Sequence, residues 1–215
     1  MKELVIVFAK NPELGKCKTR LAKSIGDEKA LEVYKTLLRH TAETLTEVEA
    51  DRVVFYSETI QQQDLWDDDF FQKQVQIEGH LGKKMQAAFE WGFSQGYSKI
   101  CIVGSDLMDL KATDLNQAFL KLESHDAVFG PANDGGFYLM GMTRLYPKAF
   151  LNKAWSTESV LEETLKDLKR LQIAFLKPKT DIDYVEDALK HEELKAIIEQ
   201  QPQENNQKSS LSRPL

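Results

Sequence analysis

Short apolar segments recur along the chain and alternate with longer segments in which apolar residues are spaced as on one face of a helix. Residues 4–9 are the clearest strand, because this run of six contains no polar position, as in strands that are buried on both faces of a sheet. Residues 52–57, 100–103, 127–129, 137–140 and 173–176 are also strand-like, and residues 75–77 indicate a short edge strand. The segment between residues 61 and 73 has no clear pattern.

Helical spacing marks the segments that lie between most of these strands. After Asp27, a potential N-cap, apolar residues recur every three or four positions up to residue 45. Residues 81–95, 113–122, 157–171 and 184–200 have the same spacing, and Gly96 is placed to end the helix over 81–95. This β-α-β-α alternation predicts an α/β fold with a mainly parallel, doubly wound sheet, in which ligands bind at the carboxyl ends of the strands.

The same pattern predicts a single domain over residues 1–200 and a tail after it. A chain of 215 residues corresponds to roughly one domain of about 150 residues, or at most two. From residue 201 onward, Pro, Gln, Asn and Ser replace the apolar periodicity. Residues 201–215 are therefore predicted to be disordered.

Composition narrows the classes of protein to consider. The longest apolar run has six residues, which is far fewer than the roughly 20 of a membrane-spanning helix and below the ~7–15 of a signal peptide core. We therefore predict a cytoplasmic protein without a membrane span. Cys17 and Cys101 have no zinc-type spacing and are too few for a disulfide framework, so both are expected to be free thiols. The net charge of −6 argues against nucleic acid as a partner.

One short stretch carries the opposite charge. Residues 10–23 contain a single acidic residue, Glu13, and have a local charge of +4 from Lys10, Lys16, Lys18, Arg20 and Lys23. Cations on a loop that leads into a helix suit a di- or triphosphate. The alternative is a solvated basic loop without a ligand.

Two common phosphate-binding loops do not fit this stretch. If Gly15 and Lys16 ended a P-loop, Lys10 would stand in place of its first glycine and Cys17 in place of its hydroxyl residue. A dinucleotide fingerprint needs three glycines, and the stretch has only Gly15. Any phosphate site here must therefore be of another kind.

Acidic residues follow the predicted strands at three places. Asp106 ends Gly104-Ser105-Asp106 and could hold an octahedral cation that also binds phosphate oxygens, although turn aspartates are common after strands. Asp183 precedes the last predicted helix and could share that cation, or could merely cap the helix. Asp134 precedes two glycines, which suit a hairpin turn or close approach of a ligand to the backbone. In the second case Asp134 would accept hydrogen bonds from substrate hydroxyls.

Taken in order, these segments resemble the glycosyltransferase A-like, or selenodomain-associated transferase 1, family (DUF2064 type) of the nucleotide-diphospho-sugar transferase superfamily. The matching motifs cover residues 4 to about 190 and are Phe8-Ala9-Lys10-x-Pro12-x-x-Gly15-x-x-Lys18-Thr19-Arg20-Leu21, Leu81-Gly82-x-x-Met85, Gly104-Ser105-Asp106, Gly130-Pro131-Ala132-x-Asp134-Gly135-Gly136-Phe137-Tyr138-Leu139 and Asp181-Ile182-Asp183. The sequence departs from the family pattern at Leu14 and Met108, where prolines are usual, and at Lys83-Lys84, where Glu-Arg is usual.

The resemblance implies a GT-A-type three-layer α/β/α sandwich with a mainly parallel, mixed central sheet, and a nucleotide-linked substrate. It implies that the nucleotide-binding residues are Phe8, Ala9, Lys10, Lys18, Arg20 and Gly82. It also implies that Asp106 and Asp183 bind Mg²⁺ or Mn²⁺. We expect Asp106 and Asp134 to be catalytic, and Asp134, Gly135 and Gly136 to bind the substrate.

The leading hypothesis for the activity is glycosyl transfer from a nucleotide diphosphate sugar to a small-molecule acceptor. One alternative is nucleotidyl transfer, in which a nucleoside triphosphate reacts with a phosphorylated small molecule. Nucleotidyltransferases of this superfamily typically have a glycine-rich loop after the first strand, whereas residues 11–14 lack glycine, which favours sugar transfer. A second alternative, from another class, is a nucleotide-binding protein without catalysis.

Overall fold

A computed structural model of the protein describes residues 2–200 and contains one seven-stranded sheet. Along the chain, the strands are β1 (Glu3–Ala9), β2 (Asp51–Tyr56), β3 (Gln72–Val75), β4 (Lys99–Gly104), β5 (Ala127–Pro131), β6 (Phe137–Met142) and β7 (Ile173–Phe175). In space their order is β3-β2-β1-β4-β6-β5-β7. Only β6 is antiparallel to its neighbours within this sheet, so the predicted mainly parallel, mixed sheet is confirmed. The tail predicted over 201–215 lies outside the described residues.

Seven α-helices connect or flank these strands in the described part of the chain. They are α1 (Thr19–Ile25), α2 (Asp27–Thr46), α3 (Leu81–Ser94), α4 (Ala112–Lys121), α5 (Val160–Asp167), α6 (Val185–Ala188) and α7 (Glu192–Glu199). A single turn of 3₁₀-helix covers Pro147–Ala149. None of the helices within residues 2–200 combines the length and the hydrophobicity that a transmembrane span requires.

The three-layer α/β/α arrangement follows from the burial of both faces of the sheet. Along β1, Leu4 and Ile6 belong to one apolar cluster and Val5 and Val7 to another, and none of the four is exposed. Helices α3 and α5 cover the first face, and helices α2 and α4 cover the second. This double burial explains why residues 4–9 contain no polar position.

The helices differ from the prediction at two places. Helix α1 was not predicted; Leu21 is its one fully buried residue, so it has little apolar periodicity. The helix predicted over 184–200 is two helices, α6 and α7, separated by residues 189–191. Ala188 of α6 and Leu194 of α7 are buried in the same cluster beside α1 and α2. The apolar spacing therefore continues across a break in the helix.

The edge strand and α5 also differ from the prediction. Strand β3 ends at Val75, where the predicted strand was to begin. Its first three residues are polar because β3 lies at the edge of the sheet and pairs with β2 alone, so hydrophobicity marks its position poorly. Helix α5 begins at Val160, three residues later than predicted.

Candidate active site

The candidate active site lies at the carboxyl ends of the neighbouring strands β1 and β4. From these two strands the chain continues toward opposite edges of the sheet. Strand β1 pairs in parallel with both β2 and β4, and Phe8 lies opposite Gly104. The connection after β1 leads to β2 on one side, and the connection after β4 leads toward β5 on the other. Such a switch point opens a crevice at the carboxyl ends of parallel strands. A cleft of about 630 Å³ lies here.

The loop between β1 and α1 is anchored by buried hydrogen bonds. Asn11 is buried; its Nδ2 donates to the Thr59 carbonyl at 2.8 Å, and its Oδ1 accepts from the Glu58 N–H at 3.0 Å. The hydroxyl of Tyr34 accepts from the Lys10 N–H at 2.7 Å and donates to the Lys10 carbonyl at 3.1 Å. Because buried polar groups that are paired fix the backbone around them, this loop can present its cations in a defined geometry.

Lys18 extends from this loop to the acidic side of the cleft. Its backbone is left-handed, with φ of 49° and ψ of 45°, a conformation that costs a residue with a side chain about 1–2 kcal/mol. The side chain is only 5% exposed, and Nζ lies 2.6 Å from Oδ1 of Asp106 and 3.6 Å from Oδ1 of Asp183. One nearly buried ammonium thus bridges two carboxylates from distant segments of the chain.

Arg20 completes this charged network from the first turn of α1. Its Nη1 donates to Oδ2 of Asp183 at 2.8 Å. The segment that carries Asp183 is held beside Asp106 because the Ile182 N–H donates to the Asp106 carbonyl at 2.9 Å, and the Ile182 side chain is buried against α1 and α2. Two cations therefore face two carboxylates at the rim of the cleft.

Asp181 is a further acidic residue of the cleft, and it is not among the predicted site residues. Burial raises the pKa of the Asp181 carboxyl to about 7, and the negative charges of Asp106 and Asp134 act in the same direction. Lys18 acts in the opposite direction. The sequence contains one signal for this residue: Asp181 and Asp183 flank the apolar Ile182, which is buried, so the two acidic side chains are expected on the other, polar side of the segment.

We expect the stability of the protein to depend on pH through Asp181. Its folded-state pKa of about 7 exceeds the ordinary value of about 3.9 for an unfolded chain. The neutral carboxyl therefore contributes stability that is complete below about pH 4 and is lost as the pH rises through 7. Asp181→Asn should thus be more stable than the wild type at pH 8, by at most about 4 kcal/mol.

Urea unfolding between pH 5 and 8.5, with a chelator present to remove divalent cations, measures this difference. The advantage of Asp181→Asn should shrink as the pH falls toward 5. A difference that stays constant over this range would mean that Asp181 does not titrate with a raised pKa.

Asp134, Gly135 and Gly136 form a tight turn between β5 and β6. Oδ1 of Asp134 accepts from the Gly136 N–H at 2.9 Å. Gly135 has a φ of 88°, and a Cβ added to it would lie 2.0 Å from the carbonyl oxygen of Glu158, so only glycine fits. Asp134 and Gly136 line the cleft, while Gly135 packs against the Glu158 backbone. The glycine pair therefore has a structural role beside the predicted substrate contact.

Gly82, the second residue of α3, lies under the indole of Trp155. A Cβ added at Gly82 would come within 2.3 to 2.4 Å of three atoms of that ring. Neighbouring residues of the same helix, Leu81, Lys84 and Met85, line the cleft, and so does Trp155. The glycine predicted to contact the nucleotide is thus covered by an aromatic side chain of this protein.

Most of the predicted site residues line this one cleft. They are Phe8, Ala9, Lys10, Lys18, Arg20, Asp106, Asp134, Gly136 and Asp183. They come from four separate segments, which the topology brings to one edge of the sheet. The binding and catalytic roles of these residues stay predictions.

Asp106 and Asp183 are the residues that could hold a divalent cation. Carboxylate oxygens are the donors that Mg²⁺ and Mn²⁺ prefer, and both carboxylates face one point, the ammonium of Lys18. Within residues 2–200, no group of three or more His, Cys, Asp or Glu side chains is arranged to hold a metal. Because Mg²⁺ is often held by one or two carboxylates together with substrate phosphates, these residues fit a cation that is shared with a phosphate-bearing ligand.

Comparison with known proteins gives a match to a family model and a similarity to solved structures. The family model described as "Uncharacterized protein conserved in bacteria (DUF2064)" matches residues 40–157. The crystal structure of a "putative nucleotide-diphospho-sugar transferase" from Desulfovibrio desulfuricans G20 superposes with a TM-score of 0.81 and 28% identity, over 86% of this chain and 84% of that chain. No protein with a curated description matches this chain in sequence.

Two further solved structures share the fold at low identity. A cytidylyltransferase from Leptospira borgpetersenii serovar Hardjo-bovis (strain JB197) has a TM-score of 0.55 and 12% identity, over 94% of this chain and 98% of that chain. A 4-diphosphocytidyl-2C-methyl-D-erythritol synthase from Anaerococcus prevotii DSM 20548 has a TM-score of 0.56 and 9% identity, over 86% of this chain and 92% of that chain. At such identities the likeness establishes the fold alone.

Proposed function

Since the chain belongs to the DUF2064 family and has the fold of the nucleotide-diphospho-sugar transferase superfamily, we propose that it is a metal-dependent transferase that acts on a nucleotide-activated substrate. The proposed reaction is glycosyl transfer from a nucleotide diphosphate sugar to a small-molecule acceptor. The observation that supports it most is the convergence of Lys18, Asp106 and Asp183 at the switch point of the sheet.

A diphosphate in this cleft would meet cations that are already in position. Lys18 and Arg20 now pair with carboxylates, and both can exchange a carboxylate oxygen for a phosphate oxygen without a change in donor chemistry. Asp106 and Asp183 would hold Mg²⁺ or Mn²⁺, and the bound cation would neutralise charge that develops on the departing diphosphate. Lys18 and Arg20 would stabilise the same developing charge by hydrogen bonds from fixed donors.

The acceptor would bind on the side of the cleft that carries Asp134. One oxygen of this carboxylate holds the turn through the Gly136 N–H, which fixes the orientation of the group. The second oxygen is then directed by the turn and would accept a hydrogen bond from an acceptor hydroxyl. Asp134 would thereby orient the acceptor or remove its proton.

Nucleotidyl transfer is the second candidate. The local charge of +4 over residues 10–23 favours it, because a triphosphate carries more negative charge than a diphosphate sugar. The absence of glycine from residues 11–14 favours sugar transfer. The products separate the two reactions: nucleotidyl transfer releases pyrophosphate from a nucleoside triphosphate, and glycosyl transfer releases a nucleoside diphosphate.

A thermal-shift screen of nucleotides and nucleotide sugars, with and without Mn²⁺, tests the proposal. A ligand that binds only the folded state raises the melting temperature even when the reaction is unknown. We expect nucleoside diphosphates and at least one nucleotide sugar to stabilise the protein more with Mn²⁺ than without. If nucleotides stabilise the protein but a turnover assay gives no product from any donor, the non-catalytic alternative is indicated. No stabilisation by any nucleotide would contradict the proposal.

Arg20→Ala should weaken the binding of nucleoside diphosphates and leave nucleosides unaffected. A charge-assisted hydrogen bond contributes about 1.5–3 kcal/mol, so we expect a loss of roughly tenfold to 100-fold in affinity for UDP or CDP. Calorimetric titration of each nucleoside beside its diphosphate measures the difference. Arg39→Ala is the matched control, because Arg39 is an exposed arginine of α2. Equal losses for nucleoside and diphosphate would mean that Arg20 does not contact phosphate.

A further inference from the structure

Trp155 occupies a flat surface inside the cleft. The glycine at position 82 provides that surface, since a side chain there would come within 2.3 Å of the indole. Leu81 and Met85 of the same helix line the cleft beside it. The indole therefore fills a position that accepts a planar ring and is bounded by apolar side chains.

The contact between Trp155 and Gly82 leaves a polar group unsatisfied. The indole Nε1 is buried and has no hydrogen-bond partner among the described residues. A buried donor without an acceptor costs about 1–3 kcal/mol. The indole thus lies over Gly82 through apolar contact, and its unpaired N–H opposes this position. The free energy needed to displace the indole is correspondingly lower.

The segment 154–161, which contains Trp155, is held by hydrogen bonds at both ends and has a left-handed residue directly after the tryptophan. The Ala154 N–H donates to Glu163 at 3.2 Å, and the Leu161 N–H donates to the Gly135 carbonyl at 3.3 Å. Ser156 directly follows the tryptophan and is left-handed, with a φ of 65°, a conformation that disfavours residues with side chains. The Thr157 hydroxyl donates to the Ala154 carbonyl at 2.6 Å across Trp155 and Ser156. Relaxation at Ser156 that moves the indole would break this bond, while the bond between Ala154 and Glu163 of α5 persists.

We propose that Trp155 is a displaceable occupant of a subsite for a planar heterocycle, and that the base of the nucleotide competes with the indole for the surface over Gly82. This inference rests on the proposed function in one respect, that the ligand is a nucleotide. The indole and a nucleobase are both flat aromatic rings, so a surface that accepts one accepts the other. Trp155 should consequently lower the apparent affinity for ligands that contain a base, and leave the affinity for phosphates alone unchanged.

Trp155→Ala should tighten the binding of nucleoside diphosphates. When only a fraction of the protein is in the binding-competent state, the apparent Kd equals the intrinsic Kd divided by that fraction. Removal of the competing ring makes the competent state fully populated. We expect UDP, CDP, ADP or GDP, whichever binds the wild type, to bind Trp155→Ala about threefold to tenfold more tightly. Inorganic pyrophosphate, which has no ring, should bind both proteins equally. Trp91→Phe, a tryptophan substitution elsewhere on α3, should change neither affinity.

Fluorine NMR of protein labelled with 5-fluorotryptophan supplies a readout that does not depend on affinity. Three tryptophans are present, and the spectrum of Trp155→Phe assigns the relevant resonance. Addition of the same nucleoside diphosphate should shift the Trp155 resonance, and pyrophosphate should leave it in place. In ligand-free Gly82→Ala, where a Cβ excludes the indole, this resonance should already be displaced toward its nucleotide-bound position.

These measurements distinguish the failure of this inference from the failure of the proposed function. If nucleoside diphosphates bind the wild type but Trp155→Ala binds them equally or more weakly, the displacement of Trp155 is wrong and the nucleotide site stands. A Trp155 resonance that does not shift when a nucleotide binds would likewise contradict the displacement of Trp155 and leave the nucleotide site in place. If neither protein binds any nucleotide, both proposals are wrong.

Discussion

Lys18→Met should reduce the affinity for nucleoside diphosphates by about 100-fold, which corresponds to about 2.7 kcal/mol. The Lys18 ammonium is almost fully removed from water, with 5% of the side chain exposed, and a charge interaction in such a place is stronger than one at the surface. Truncating one partner of a desolvated charge pair costs 2–5 kcal/mol in interfaces. The loss should appear with and without Mn²⁺, because Lys18 acts on the phosphates directly.

Lys16→Met is the matched control for this substitution. Lys16 belongs to the same loop but is 57% exposed and pairs with Glu13 at 2.6 Å, and surface pairs of this kind contribute about 0–1 kcal/mol. We expect its affinity for nucleoside diphosphates to change less than threefold, as calorimetric titration would measure. If Lys16→Met and Lys18→Met lost affinity equally, the basic stretch would act by its total charge and not through Lys18.

The parts of the fold that could be predicted are those in which burial produces a clear pattern of apolar residues in the sequence. Strand β1 is recognisable because both of its faces are buried, which leaves an unbroken apolar run over residues 4–9. Strand β3 lies at the edge of the sheet and begins with three polar residues, so its position could not be predicted from hydrophobicity. Helix α1 has one fully buried residue, which is too few to give a periodic signal.

The meeting of Lys18, Asp106 and Asp183 could be expected because the segments that carry them were placed at one edge of a parallel sheet. Their contacts are 2.6 and 3.6 Å, and such distances follow from tertiary packing alone. The raised pKa of Asp181 depends on burial and on the charges of Asp106 and Asp134. These residues are distant in sequence, so the local sequence around Asp181 could not indicate the shift. The cover of Gly82 by Trp155 joins residues 73 positions apart, so the sequence could indicate the glycine but not its neighbour.

Asp106→Asn should have opposite effects on nucleotide binding in the presence and in the absence of a divalent cation. Asn removes the charge of a carboxylate that we propose to hold Mg²⁺ or Mn²⁺, so affinity for nucleoside diphosphates in Mn²⁺ should fall by roughly 30-fold to 100-fold, about 2–3 kcal/mol. In a chelator, affinity should be unchanged or tighter. There the Lys18 ammonium no longer has Asp106 at 2.6 Å and is more available to phosphate.

The sign of this change separates the proposed role of Asp106 from a purely structural one. If Asp106 only held Lys18 in place, Asp106→Asn would misplace the ammonium and lower affinity in both conditions, as Lys18→Met should. Asp109→Asn is the matched control: Asp109 follows the same strand, is 46% exposed compared with 48% for Asp106, and lies 3.5 Å from another lysine, Lys179. It should leave the dependence on Mn²⁺ intact. A wild-type protein whose affinity for nucleoside diphosphates does not respond to Mn²⁺ would remove the basis for a cation at Asp106 and Asp183.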